Sequence, residues 1–151
     1  PGKKIPKASI RCHGITDDMV TGEPPVGDVL PAFKAFVGEA VLVAHNAAFD
    51  VRFLKLKEDA TGVVFDNMVL DSLLLSVFLD AESRNHSLDA IAERMGVEIE
   101  GRHTALGDSI VTAKVFLRML DMLEARGITT LRQAVDASIK MEHVREMQKR
   151  F

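Results

Sequence analysis

The chain has 151 residues, 47% of them hydrophobic and 27% charged, a balance that suits one globular domain with a real core. Its net charge of −3 argues against a protein that coats nucleic acid with a broad basic surface, while leaving room for an enzyme that grips a few nucleotides through metal ions. No apolar run approaches the roughly 18 residues of a membrane span, "PGKKIPKASI" holds no signal-peptide core, and Cys12 is the only cysteine, which rules out an intrachain disulfide and fits a cytoplasmic location.

In chain order, "PGKKIPKAS" reads as an extended or looped lead-in, followed by "HGITDDMV" and the turn-rich "TGEPPVGD". Asp28 is the expected N-cap of a helix over "VLPAFKAFVG", with Val29, Leu30, Phe33, Phe36 and Val37 on one face and Gly38 as C-cap. "AVLVA" (40–44) has the continuous valine-rich character of a strand covered on both faces. Phe49, Phe53 and Leu56 mark a second helix, and a second strand is expected around 68–70. "SLLLSVFL" reads as helical. "SLDAIAERMGV" reads as an amphipathic helix with Leu88, Ile91 and Met95 inward. A long helix is expected over 105–126, where Leu106, Ile110, Ala113, Leu117 and Leu120 recur at helical spacing, with Gly127 ending it. "TLRQAVDASIKMEHVREMQKRF" reads as a further helix. Strands alternating with helices imply an α/β layered fold, although two strands are a marginal platform for so many helices.

Three stretches carry chemistry. In "VAHNAAFD" an apolar strand runs into His45 and Asn46, and the helix that follows holds Asp50 in its first turn. Asn46 has a structural explanation as an N-cap, and Asp50 as a complement to the helix dipole. A functional explanation is equally open, because ligands bind at strand ends in α/β sheets. In "HTALGD", His103 and Asp108 are five residues apart and cannot share a helical face, so His103 is expected in the loop before the long helix. Two separated acids and a histidine suit divalent-metal phosphodiester chemistry. Carboxylates are hard oxygen ligands for Mg²⁺ or Mn²⁺. Two ions about 4 Å apart stabilise the attacking and leaving oxygens, and a neutral histidine takes a proton from water.

"HGIT" (13–16), "HNAAFD" (45–50) and "HTALGD" (103–108) stand in the order seen in DnaQ-like 3′–5′ exonucleases of the DEDDh class. Over about residues 1–125 the chain resembles that family, nearest in look to the proofreading epsilon subunit of bacterial DNA polymerase III. The sister class uses tyrosine in place of the histidine, and this chain has no tyrosine. The resemblance implies an RNase H-like α/β exonuclease fold, a mixed sheet flanked by helices. It implies Asp50 and Asp108 as metal ligands of a two-ion Mg²⁺ or Mn²⁺ site, and His103 as general base. It places His45, Asn46 and Phe49 around the 3′-terminal nucleotide, with His13, Gly14, Ile15 and Thr16 as a further wall.

The implied reaction is hydrolysis of terminal phosphodiesters to nucleoside 5′-monophosphates. The implied partner is a single-stranded or frayed 3′ end of DNA, with RNA as the other option. A polymerase or a further domain of the same polypeptide is a second expected partner. One departure stands out. The family's first motif, an Asp-x-Glu on a strand upstream of "HGIT", has no counterpart among the twelve residues before His13. The chain is therefore expected to be an exonuclease domain over 1–126 that lacks its N-terminal strands. Residues 127–151 are expected to be a C-terminal helical extension or linker. Loss of the first-motif acids also leaves a second reading open, a catalytically inactive nucleic-acid- or protein-binding module. Asp71 is read as structural or as supporting the site from behind, and His86 as capping or bracing the helix that follows it.

Overall fold

The structure, a computed structural model, describes residues 3–101 and 104–141. Helix α1 (Lys7–His13) starts directly after Pro6 and ends at Gly14 (φ 73°). The looped lead-in expected there is thus partly helical. Pro6 lies just outside the helix, where its missing N–H costs nothing. A short 3₁₀ turn (Asp18–Val20) leads to α2 (Val26–Val37). Its N-cap is Pro25, and Asp28 sits within the first turn rather than capping it. Strand β1 (Leu42–Ala44), α3 (Ala47–Thr61) and β2 (Val69–Asp71) form a β-α-β unit, which the parallel pairing of the strands requires. Leu42 pairs with Val69, Val43 with Leu70 and Ala44 with Asp71.

Helices α4 (Ser72–Leu79), α5 (Leu88–Arg94), α6 (Ala105–Glu124) and α7 (Leu131–Ile139) follow. Helix α6 packs on α4, α5 and β1, and α4 also packs on α7. The core lies between them: Leu75, Ile91, Val115 and Met119 are fully buried, with Val111 and Leu123 beside them. Leu88 and Met95 pack against this cluster as expected of α5. The end of α6 is closed by Ile128 N–H donating to Leu123 O (3.0 Å) around Gly127 (φ 74°). Arg126 satisfies the last carbonyls of α4, donating to Phe78 O (2.8 Å) and Leu79 O (2.6 Å). His86 braces α4 rather than capping α5, with Nδ1 against Ser76 Oγ (2.8 Å) and Nε2 against Ser83 O (2.9 Å). Ser87 caps α5. No helix among the described residues is long and apolar enough to cross a membrane.

Burial separates the apolar faces that helical spacing shows, and it corrects the expectation for β1. On α6 the stripe Leu106, Ile110, Leu117, Leu120 is exposed, Leu106 by 72%, while Val111, Val115, Met119 and Leu123 face the core. The helix carries two apolar stripes, and the second is the one buried in the core. On α2 only Leu30 is buried, and Phe36 is 86% exposed. β1 is half-buried rather than covered on both faces, and no described strand pairs with its other edge.

Candidate active site

The parallel strands end together, at Ala44 and Asp71, and the turns that leave them build one side of a cleft. After β1 the chain turns sharply at Asn46, which adopts φ 63°, ψ 49°. It is the one non-glycine residue at positive φ among those described, a conformation that asparagine tolerates better than most side chains. Asn46 makes no side-chain cap, which corrects the N-cap expectation, and its Oδ1 is buried without a partner among the described residues. The capping is supplied instead by Asp71, which is 6% exposed. Its carboxylate accepts from the N–H groups of Asn46 (3.1 Å), Ala47 (3.0 Å) and Leu73 (2.9 Å).

The cleft, of about 730 Å³, is lined from the β1 end by His45, Phe49 and Asp50. Helix α6 contributes Asp108 and Thr112, and Ser87 and Asp89 come from the start of α5. Thr104 caps α6, its Oγ1 accepting from Gly107 N–H (3.0 Å) and donating to Gly101 O (2.6 Å). Gly107 is required there, since a β-carbon would overlap the Gly101 carbonyl oxygen.

Of the expected site residues, the fold brings His45, Phe49, Asp50 and Asp108 to one cleft. Asn46 stands behind this wall and does not line it. His13, Gly14, Ile15 and Thr16 do not line it either. His13 closes α1, and its Nδ1 accepts from Ile15 N–H (3.0 Å). His103 lies outside the described residues. Ser72 and Asp89 escaped the sequence reading. Fully buried Ser72 holds the His45 ring (Nδ1 to Oγ, 3.1 Å), and the only sequence hint is its place after the strand-ending Asp71.

Burial pushes the His45 imidazole below its ordinary value, against the pull of Asp71, so the ring is neutral at pH 7. Burial raises the Asp50 carboxyl; its own backbone hydrogen bond opposes the rise and the Asp71 charge adds to it. Asp50 and Asp108 are donors of the type that Mg²⁺ or Mn²⁺ prefers. Among the described residues, however, no group of three or more His, Cys, Asp or Glu is placed to hold a metal. The described donors therefore match such a centre in kind but not in number.

Parallel strands that open at their carboxyl ends onto an acid-lined cleft define an α/β domain with a ligand site at the strand termini. A family profile described as "Exonuclease" matches residues 1–116. The chain belongs to that exonuclease family, and its fold is an RNase H-like α/β exonuclease fold. It is 52% identical over 132 residues to the DNA polymerase III subunit epsilon-like protein of Rhodobacter capsulatus, covering 86% of this chain and 19% of that protein. It is 41% identical over 130 residues to a PolC-type DNA polymerase III of Caldanaerobacter subterraneus, covering 85% of this chain and 9% of that one. The chain thus spans a fifth or less of the length of these relatives. A solved structure of exonuclease X in complex with 5′ overhanging duplex DNA superposes with a TM-score of 0.70 at 25% identity, covering 91% of this chain and 76% of that one.

Proposed function

We propose that this domain is a proofreading-like 3′–5′ exonuclease of the DEDDh class. It cuts single nucleotides from a frayed or single-stranded 3′ end, releases nucleoside 5′-monophosphates, and favours DNA. The carrying observation is that Asp50, from α3, and Asp108, from α6, line one cleft beside Phe49. The relatives' names, which join this kind of domain to DNA polymerase III, support DNA as substrate and a polymerase, or a polymerase domain of the same polypeptide, as partner.

The charge of the cleft points to a cation requirement. A phosphodiester is an anion, and the carboxylates that line the cleft repel it until a counter-charge is present. Bound Mg²⁺ or Mn²⁺ supplies that charge and activates water. The described donors are too few to hold two metal ions, so the steps assigned to this chain are those of its own side chains. Phe49, 58% exposed, offers a face on which a terminal base stacks. Neutral His45, held by Ser72, gives the strand end a polar wall that adds no charge. His103 is the proposed general base.

The reading is tested by degradation of a 3′-labelled single strand in Mg²⁺ or Mn²⁺. The assay is run on this chain and on a longer protein in which an Asp-x-Glu strand precedes it. Labelled mononucleotide from the longer protein, with little or none from the chain alone, is the expected result. Absence of metal-dependent degradation by both would favour the inactive binding module, which the shortage of described metal donors also fits.

A further inference from the structure

Asp71 has no part in the chemistry proposed above, yet it is a buried acid with three backbone partners. Its two oxygens divide the work. Oδ1 accepts from Asn46 and Leu73, and Oδ2 from Ala47. One carboxylate therefore joins the starts of α3 and α4, two helices leaving neighbouring strands, at the level of the cleft. The turn it holds would not stay in place by itself. Asn46 sits in the left-handed region, with no cap of its own and a buried oxygen that has no hydrogen-bond partner among the described residues. Both features cost free energy and persist only where the surroundings impose them. Phe49 and Asp50 follow within the first turn of α3, so the direction of that helix start sets where both side chains point.

We propose that Asp71 is a positioning residue: its carboxylate locks the left-handed turn at Asn46 and thereby aims Phe49 and Asp50 into the cleft. The proposal rests on the exonuclease reading for its kinetic consequence, but not for the clamp itself.

The clamp is read on the 151-residue chain by amide hydrogen exchange. In Asp71→Asn only one oxygen remains to serve three donors. Exchange at Asn46, Ala47 and Leu73 should then accelerate about 10- to 100-fold, the scale of a lost charge-assisted bond. Buried α6 amides such as Val115 and Met119 should hold within about threefold, since distant sites are independent. Uniform acceleration everywhere, or none at the three amides, would overturn the clamp. Should Asp71→Asn fail to fold, position 46 decides with Asp71 intact. Asn46→Gly, free to adopt positive φ, should keep the three amides protected, and Asn46→Ala should not. Equal protection in both would refute a held left-handed turn.

In a longer, active protein Asp71→Asn should lower kcat about 10- to 100-fold, as small misplacements of catalytic groups do, with KM nearly unchanged. An unchanged kcat would refute the positioning role. A wild-type protein with no nuclease activity would refute the exonuclease reading, and the exchange result would still decide the clamp.

Discussion

Gly107 offers a test in which the sign of the effect is decided by structure. It lies in the first turns of α6, is buried, and immediately precedes Asp108. In an open helix, Gly→Ala stabilises by up to about 1 kcal/mol because alanine loses less backbone entropy. At Gly107 the new β-carbon would overlap Gly101 O and would stand 2.7 Å from Gly101 C and 2.8 Å from Glu100 O. These are backbone atoms, and the Thr104 hydroxyl bonded to Gly101 O ties them to the start of α6. The loop must move as a unit. Overpacking of this kind costs about 1–3 kcal/mol, and disturbing the Thr104 cap adds about 1 kcal/mol. Less the helix-propensity gain, Gly107→Ala should destabilise by about 1–3 kcal/mol, or lower Tm by roughly 2–10 °C for a chain of this size. Gly27, in α2, is the control, since nothing lies within 4 Å of its β-carbon position. Gly27→Ala should raise stability slightly. Urea unfolding of the two variants against wild type checks both signs. A stabilised Gly107→Ala protein would refute the close approach of the Gly101 loop to α6.

Asp50→Asn and Asp108→Asn, in a protein in which an Asp-x-Glu strand precedes this chain, should each abolish Mg²⁺- or Mn²⁺-supported cleavage while leaving the fold intact. For Asp50, whose carboxyl is raised by burial and by Asp71, the amide should leave Tm unchanged or higher, and a large drop in a melting scan would contradict this. His103→Ala should reduce turnover by about 10² to 10⁴ with a smaller effect on KM, and near-full kcat would remove its assignment as base. His45 predicts a pH dependence. Burial holds its folded pKa below the ordinary histidine value, so the unfolded chain takes up the proton first. The associated stability is fully present above that value and is lost as pH falls through the folded pKa. His45→Gln should flatten the stability curve over that acidic range, and an unchanged slope in denaturation at graded pH would argue against a buried neutral ring.

The α/β order and most helices were legible in the sequence because their signals are local. The valine run of β1, Gly38 and the Gly127 stop are read within a few residues, and the structure places elements there. What failed was non-local. Periodicity shows that α6 has an apolar stripe at 106, 110, 117 and 120, but the helix has a second one at 111, 115, 119 and 123. Only the packing of α4 and α5 decides which is buried. Asn46 carries the residue type of an N-cap, yet the cap comes from Asp71, twenty-five positions away. A carboxylate that serves two helix starts at once leaves no local pattern. Of the residues around the cleft, Asp50 and Asp108 stand out by motif order, whereas Ser72 behind His45 does not, since a serine after a strand has many uses. The helical start of α1 was hidden by the prolines and lysines of the lead-in.

The central claim is that the acid-lined cleft cuts nucleotides from a 3′ end. It is tested most directly with one strand carrying distinct labels at its two ends, incubated with the longer, Asp-x-Glu-containing protein across a Mn²⁺ titration. Immediate release of the 3′ label as nucleoside 5′-monophosphate, dependent on the metal and lost in Asp108→Asn, is the expected result. Release of the 5′ label first, internal cleavage, or cleavage that persists in chelator or in Asp108→Asn would contradict it.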